Sequence, residues 1–208
     1  MLNEDDSATA AAIIENITLL ESAVDFTNTQ IQDVLSSAAN AAFEDKARAF
    51  GWEHAVSAID EEPNFIARPV WRVEDEPLGG QYDLSFGITA PGEANFWITN
   101  ALGLLDNSLR IEADFGWAGV RVIQAIMRDQ GDIIDDLVTA GFRCDRREPA
   151  LFIPVIIGQQ DLVQAFKDRD DAAIKAPFEA ALDLVHAQTP ALDQLAQSVR
   201  NLRLERSR

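Results

Sequence analysis

Leu109-Arg110-Ile111-Glu112-Ala113-Asp114-Phe115 sets Leu109, Ile111, Ala113 and Phe115 on one side of an extended chain and Arg110, Glu112 and Asp114 on the other. This period-2 alternation is the cleanest in the sequence and predicts a strand with one buried face. Working back towards the N-terminus, Asp106-Asn107 supplies a turn, and Asn95-Phe96-Trp97-Ile98 begins a preceding strand. Pro91-Gly92 has the residues of positions i+1 and i+2 of a tight turn, closing a hairpin onto a strand with Tyr82, Leu84, Phe86 and Ile88 on one face. A polar loop with Pro77, Gly79 and Gly80 leads back to Phe65–Val73, where Pro69 points to a sheet edge. The expectation is an α+β fold built on a four-stranded antiparallel meander.

Helical spacing governs the flanks. Ile13, Ile17, Leu20 and Val24 predict a helix from Ser7 to Asp25. Thr27-Asn28-Thr29-Gln30 matches a capping box, with Phe26 and Ile31 as its hydrophobic staple, so a second helix is expected to run through Phe50 to Gly51 and fold back on the first. Trp52–Ile59 reads as a further short helical piece. After the meander, Val120, Ile123, Met127, Ile134 and Leu137 form a crossing helix that Gly131 interrupts. Phe142–Asp145 and Leu151–Ile157 then predict a β-hairpin, with Pro154 in conflict with a buried strand. The remainder is helical. Leu192, Leu195, Val199 and Leu202 form a seam for another helix of this chain or of a second copy, which leaves a homodimer through the C-terminal helix open. Arg200 to Arg208 reads as a frayed basic tail. Three units follow: residues 1–62 as an acidic helical hairpin, 63–158 as the α+β core and 159–208 as C-terminal helices.

Composition limits the functional classes. A net charge of −18 over 208 residues is concentrated in the first two thirds: residues 1–62 hold 13 acidic and 2 basic side chains, residues 146–208 hold 9 of each. Such a field repels nucleic acid and anionic membranes and steers basic protein surfaces towards the chain. One cysteine, Cys144, rules out an internal disulfide framework. The absence of a basic segment after Met1 and of a long apolar run predicts a cytoplasmic protein without a membrane span.

Catalytic constellations are sparse. Asp83, Glu112 and Asp114 are expected on one sheet face, where three carboxylates hold a divalent metal or act as an acid/base pair; the competing expectation pairs them with Arg68, Arg72 and Arg110 across strands. Asp129, Asp132, Asp135 and Asp136 crowd around Gly131 without the ligand spacing of a calcium loop. No Cys/His pattern suits zinc, no glycine-rich loop suits a nucleotide, and no cofactor is expected. Trp97, opposite Phe96 and Ile98, joins Arg68, Arg72 and Arg110 in an interface-like composition unless a helix covers that face.

Two resemblances rest on element order. Helix, strands, helix, strand over roughly residues 43–158 resembles the core of the PD-(D/E)XK nucleases, which implies Asp83 and Glu112-x-Asp114 as magnesium ligands; the lysine of that motif is absent. The order helix, strands, helix, two strands, helix is similar to that of the small acidic chaperones of type III secretion, and transfers no residue.

These readings favour a non-enzymatic interaction protein. Its acidic surface is expected to cover a basic site on a macromolecular partner, such as a nucleic-acid-binding protein, as an inhibitor, immunity protein or chaperone does, with carboxylates in place of nucleic acid phosphates. The interaction residues are then Arg68, Arg72, Trp97, Arg110, Asp129, Asp132, Asp135 and Asp136. The alternatives are a metal-dependent hydrolase using Asp83, Glu112 and Asp114, and a structural subunit of a larger assembly.

Overall fold

The computed structural model describes residue 9 and residues 12–56, 64–73, 82–90, 97–104, 108–145, 147 and 149–206. The alternation of Leu109–Asp114 becomes β4, whose Leu109, Ile111 and Ala113 are buried while Arg110 and Glu112 are half-buried and Asp114 is exposed. Around it lie β1 (Glu53–Ala55), β2 (Phe65–Ala67), β3 (Ser85–Thr89), β5 (Arg143–Asp145) and β6 (Ala150–Val155). They form one antiparallel six-stranded sheet in the order β1-β2-β3-β4-β6-β5. Register carries the apolar face across the strands: Phe86 pairs with Ala113, Ile88 with Ile111, and Ile111 with Ile153.

The mixed helix and strand composition is as expected, but the four-stranded meander is not. Residues 65–73 supply only a three-residue strand, because Pro69, fixed in φ and lacking an N–H, starts a 3-10 turn over Pro69–Trp71. Trp97 begins a helix, α3 (Trp97–Ala101), where a strand was expected. Glu53–Ala55, expected helical, is instead the edge strand β1. The turns expected at 77–80, Pro91-Gly92 and Asp106-Asn107 lie outside the described residues. The hairpin β5–β6 forms, and the conflict at Pro154 resolves. Its neighbour on one side is Arg110 of β4, whereas β5 reaches only to Phe152, so its missing N–H breaks no bond with β5.

The expected N-terminal helical hairpin is also overturned. α1 (Ile17–Phe26), a π-helical turn over Thr27–Ile31 and α2 (Gln32–Phe50) follow one another with helical dihedrals at every junction, giving one helix about 50 Å long at ~1.5 Å per residue. The Thr27 hydroxyl donates to the carbonyl of Ala23 (2.7 Å) and that of Thr29 to Asp25 (2.9 Å), so the threonines bond backwards instead of capping a new start. The helix ends at Gly51, in the left-handed conformation at φ 68°, with the Trp52 N–H on the Ala47 carbonyl.

The helical layer is completed by α4 (Val120–Asp129), α5 (Gly131–Ala140), α6 (Gln159–Asp168), α7 (Ala172–Ala187) and α8 (Thr189–Arg206). α2 lies along α7, and the pair packs on the sheet, α2 near β1 and β2 and α7 near β4 and β6. Leu35, Ala38, Ala39, Ala42 and Phe43 of α2 and Ile174, Phe178, Ala181 and Val185 of α7 are buried, the alanines letting the two backbones approach. Lys46 reaches Asp183 at 2.6 Å and Lys175 binds Asp45 across the same seam. The hydrogen bond from Lys175, reinforced by its charge, holds the Asp45 carboxyl below its usual range, and that same bond raises Lys175. An aromatic row continues the core, from Phe50 stacked on His186 (4.0 Å) through Trp52, Trp71 and Phe86 to Phe142. No helix among the described residues is long and apolar enough to cross a membrane.

Candidate interaction surface

The cations expected at an interface are occupied within the chain. Arg68 binds Asp193 of α8, whose carboxylate also accepts the indole N–H of buried Trp71 at 2.8 Å. Arg72 reaches Glu53 at 3.3 Å, and the same carboxylate accepts the Tyr82 hydroxyl at 2.5 Å. Burial pushes the Tyr82 phenol up from its ordinary value, and the hydrogen bond to Glu53 adds to the rise. On the outer face of β4, Arg110 pairs with Glu112 at 2.8 Å and lies over the Phe152 ring, 4.6 Å from its centroid. These three arginines sit in three separate local pairings. Trp97 lies at the start of α3, and its side chain is outside what the structure describes.

The three carboxylates weighed as metal ligands have distinct partners. Asp83 precedes β3 and is fully buried, held by Nε of Arg200 at 2.7 Å and Nε of Arg203 at 3.2 Å. Arg200 also donates to the Val70 carbonyl at 2.7 Å, so one guanidinium fastens α8 to both Asp83 and the 3-10 turn. Glu112 is turned to Arg110, and Asp114 accepts the Gly116 N–H at 3.0 Å. A side chain at Gly116 (φ 55°) would meet the Tyr82 carbonyl at 2.3 Å, which fixes glycine at that turn. Among the described residues no group of three His, Cys, Asp or Glu side chains converges as metal ligands do.

Arg200 and Arg203 therefore lock the C-terminal helix onto the body, where the sequence suggested a frayed tail. The seam on that helix is covered as well: Leu192, Leu195 and Val199 are buried against this chain's own core, which removes them as a surface for a second copy.

The aspartates expected at an interface face solvent. Asp129, Asp132, Asp135 and Asp136 are exposed on α4 and α5, with Asp129 bridged to Arg128 at 2.9 Å. The larger open region was missed by the sequence reading because it was folded into a hairpin. α1 has no buried residue. Ile13, Ile17, Leu20 and Val24 are 42–59% exposed, and Ile14 and Leu19 are 70% exposed. Residues 12–15 are also helical, separated from α1 by a turn at Asn16 (φ −111°, ψ 14°). The spacing 13, 17, 20, 24 is itself the signal of a helix-docking seam, and Ile31, Leu35, Ala38 and Ala42 repeat its four-three-four interval from the last residue of the π turn onward. The charges beside it are all of one sign: Glu15, Glu21, Asp25 and Asp33, with Lys46 the first basic residue in the chain.

Where this helix meets the body, a cavity of about 540 Å³ opens between α2, α6 and α7. Val34, Ala165, Phe166 and Ile174 form its apolar walls, and Arg169, Asp170 and Asp171 its rim. Arg169 holds a left-handed backbone at φ 56° to end α6, and the Asp170 carboxylate accepts the Ala172 N–H at 3.0 Å as α7 begins. Comparisons with protein-family models, with curated proteins and with solved structures find no match to this chain.

Proposed function

We propose that this chain is a cytoplasmic, non-enzymatic interaction protein whose acidic surface binds a basic region of a macromolecular partner, as inhibitors, immunity proteins and chaperones do. The observation that carries the reading is α1, a helix half with no buried residue, a broad apolar exposure and only carboxylates for charge. An apolar exposure of this kind marks a contact surface in a folded protein. Intrachain pairing of Lys46, Arg68, Arg72, Arg110, Lys175, Arg200 and Arg203 adds to it, because much of the positive charge is neutralised internally and the excess carboxylates face solvent. Long-range attraction then speeds capture, and apolar contact sustains it. The dispersed partners of Asp83, Glu112 and Asp114 favour this reading over a hydrolase.

The test is affinity capture from the native host lysate at low and high salt, with mass spectrometry of the retained proteins. Enrichment of basic proteins at low salt, lost at high salt, is the expected result. A retained set with no basic bias, or one indifferent to salt, overturns the proposal.

A further inference from the structure

We infer that the apolar stripe of α1 is the docking seam for a basic amphipathic helix of another protein, whose apolar face lies on Ile13, Ile17, Leu20 and Val24. The inference rests on the function proposed above and names the form of the partner. Ile17, Leu20 and Val24, at intervals of three and four, lie along one line of the α1 surface, the geometry that receives the knobs of a second helix, and Ile13 carries the spacing four residues further upstream, across the turn at Asn16. A loop or a flat basic patch would leave most of that line uncovered. The seam also has a natural end: Val34, one turn past the π segment, lines the 540 Å³ cavity whose other apolar walls are Ala165, Phe166 and Ile174. Phe166, 37% exposed at that point, extends the apolar surface from the projecting helix onto α6.

Charge selects among the occupants. A second copy would bring Glu15, Glu21 and Asp25 against the same three carboxylates in either orientation, since residues 1–45 contain no lysine or arginine. Like charges beside a helix seam oppose pairing, whereas lysine or arginine flanking the incoming apolar stripe would complement every charged position. An anionic bilayer is disfavoured on the same ground, because helices that lie on membranes carry basic residues beside the apolar face. The π turn at Thr27–Ile31 sits at the boundary between the free seam and the packed one. A π turn amounts to one residue inserted into an α-helix, so it sets the direction of the free seam separately from that of the packed one.

The test uses the full chain and three synthetic peptides: leucine at the a and d positions with lysine elsewhere, the same composition scrambled to destroy amphipathicity, and the first peptide with glutamate for lysine. Fluorescence anisotropy at low salt is expected to rank the lysine amphipath at least about tenfold tighter than either control, a difference of ~1.4 kcal/mol. The double variant Leu20→Asp, Val24→Asp adds negative charge at exposed positions, so purely electrostatic capture would strengthen while seam docking weakens. A loss of about tenfold or more is expected, as for removal of central contact residues. Circular dichroism verifies that the variant stays folded.

Equal binding of the scrambled lysine peptide, or tighter binding by the double variant, overturns seam docking and leaves the basic-partner reading standing. Failure of both lysine peptides to bind overturns both. Binding of the glutamate amphipath as tightly as the lysine one removes charge as the selector. Sedimentation showing a concentration-dependent dimer without peptide, abolished in the double variant, assigns the seam to a second copy and also overturns the inference.

Discussion

The two halves of the long helix have similar spacing and opposite surroundings. In α2, Leu35, Ala38, Ala39, Ala42 and Phe43 are fully buried against α7 and the sheet, and lysines from both helices tie the seam at its edges. In α1, residues at the same intervals face solvent, and the nearby charges are carboxylates alone. Periodicity in a sequence thus specifies that a helix has a face to bury without specifying whether the surface that buries it is in the same chain. The small side chains of α2 suit close approach to a fixed neighbour, whereas the large aliphatic side chains of α1 suit a partner that arrives separately.

The largest effect expected is on the packed half. Phe43→Ala should cost about 3–5 kcal/mol in chemical denaturation, whereas Leu20→Ala should stay within about 0.5 kcal/mol, because no cavity forms at an exposed position. Comparable losses at the two sites would erase the distinction between the halves. A second effect isolates the body from the free seam. Asp83→Asn leaves Arg200 and Arg203 facing a neutral amide and should cost about 3 kcal/mol, the low end for a broken buried pair because both guanidiniums still touch solvent. Binding of the lysine amphipath by the folded fraction of this variant should be unchanged, and a parallel loss would tie α1 to the C-terminal clamp.

These contrasts also show what the sequence made legible. β4 and β6 were readable because each is long enough for alternation or a sustained apolar run to register. Three-residue β1 falls below that length and its strand character comes from pairing with β2, whereas β2 is the start of the longer strand expected over Phe65–Val73, ended by the turn at Pro69. The break at Thr27 was misread because threonine, asparagine and glutamine serve a helix start and a strained helix interior alike; only the backward bonds to Ala23 and Asp25 decide it. The clamp on Asp83 joins residues 117 and 120 positions apart, so no local pattern carries it. Arg68, Arg72 and Arg110 were expected at an interface or paired with Asp83, Glu112 and Asp114 across strands; of those pairings only Arg110 with Glu112 forms, two residues apart on one strand, while Arg68 and Arg72 take Asp193 and Glu53, distant in sequence.

The smallest expected effect reads the packed region alone. Tyr82 is the single tyrosine, so tyrosinate absorbance follows one group. Its ionisation should lie above the ordinary value of 10.0, and Glu53→Gln should lower it part of the way, the remaining rise coming from burial. Because the folded value is raised, the phenol contributes stability at pH below 10.0 that is lost as pH rises through the folded value. The Leu20→Asp, Val24→Asp variant should leave that titration in place. A shift there would mean that α1 contacts the sheet edge in solution.

Hydrogen exchange along residues 12–50, measured with and without the lysine amphipath, addresses the two halves together. A helix without tertiary contacts is marginal in water, so amides of α1 should exchange far faster than those of α2 in the free chain. The peptide should then slow α1 selectively, leaving α2 at its original protection. Equal protection of both halves in the free chain, or slowing confined to α2, would contradict the account of one helix with an internal partner for one half and an external partner for the other.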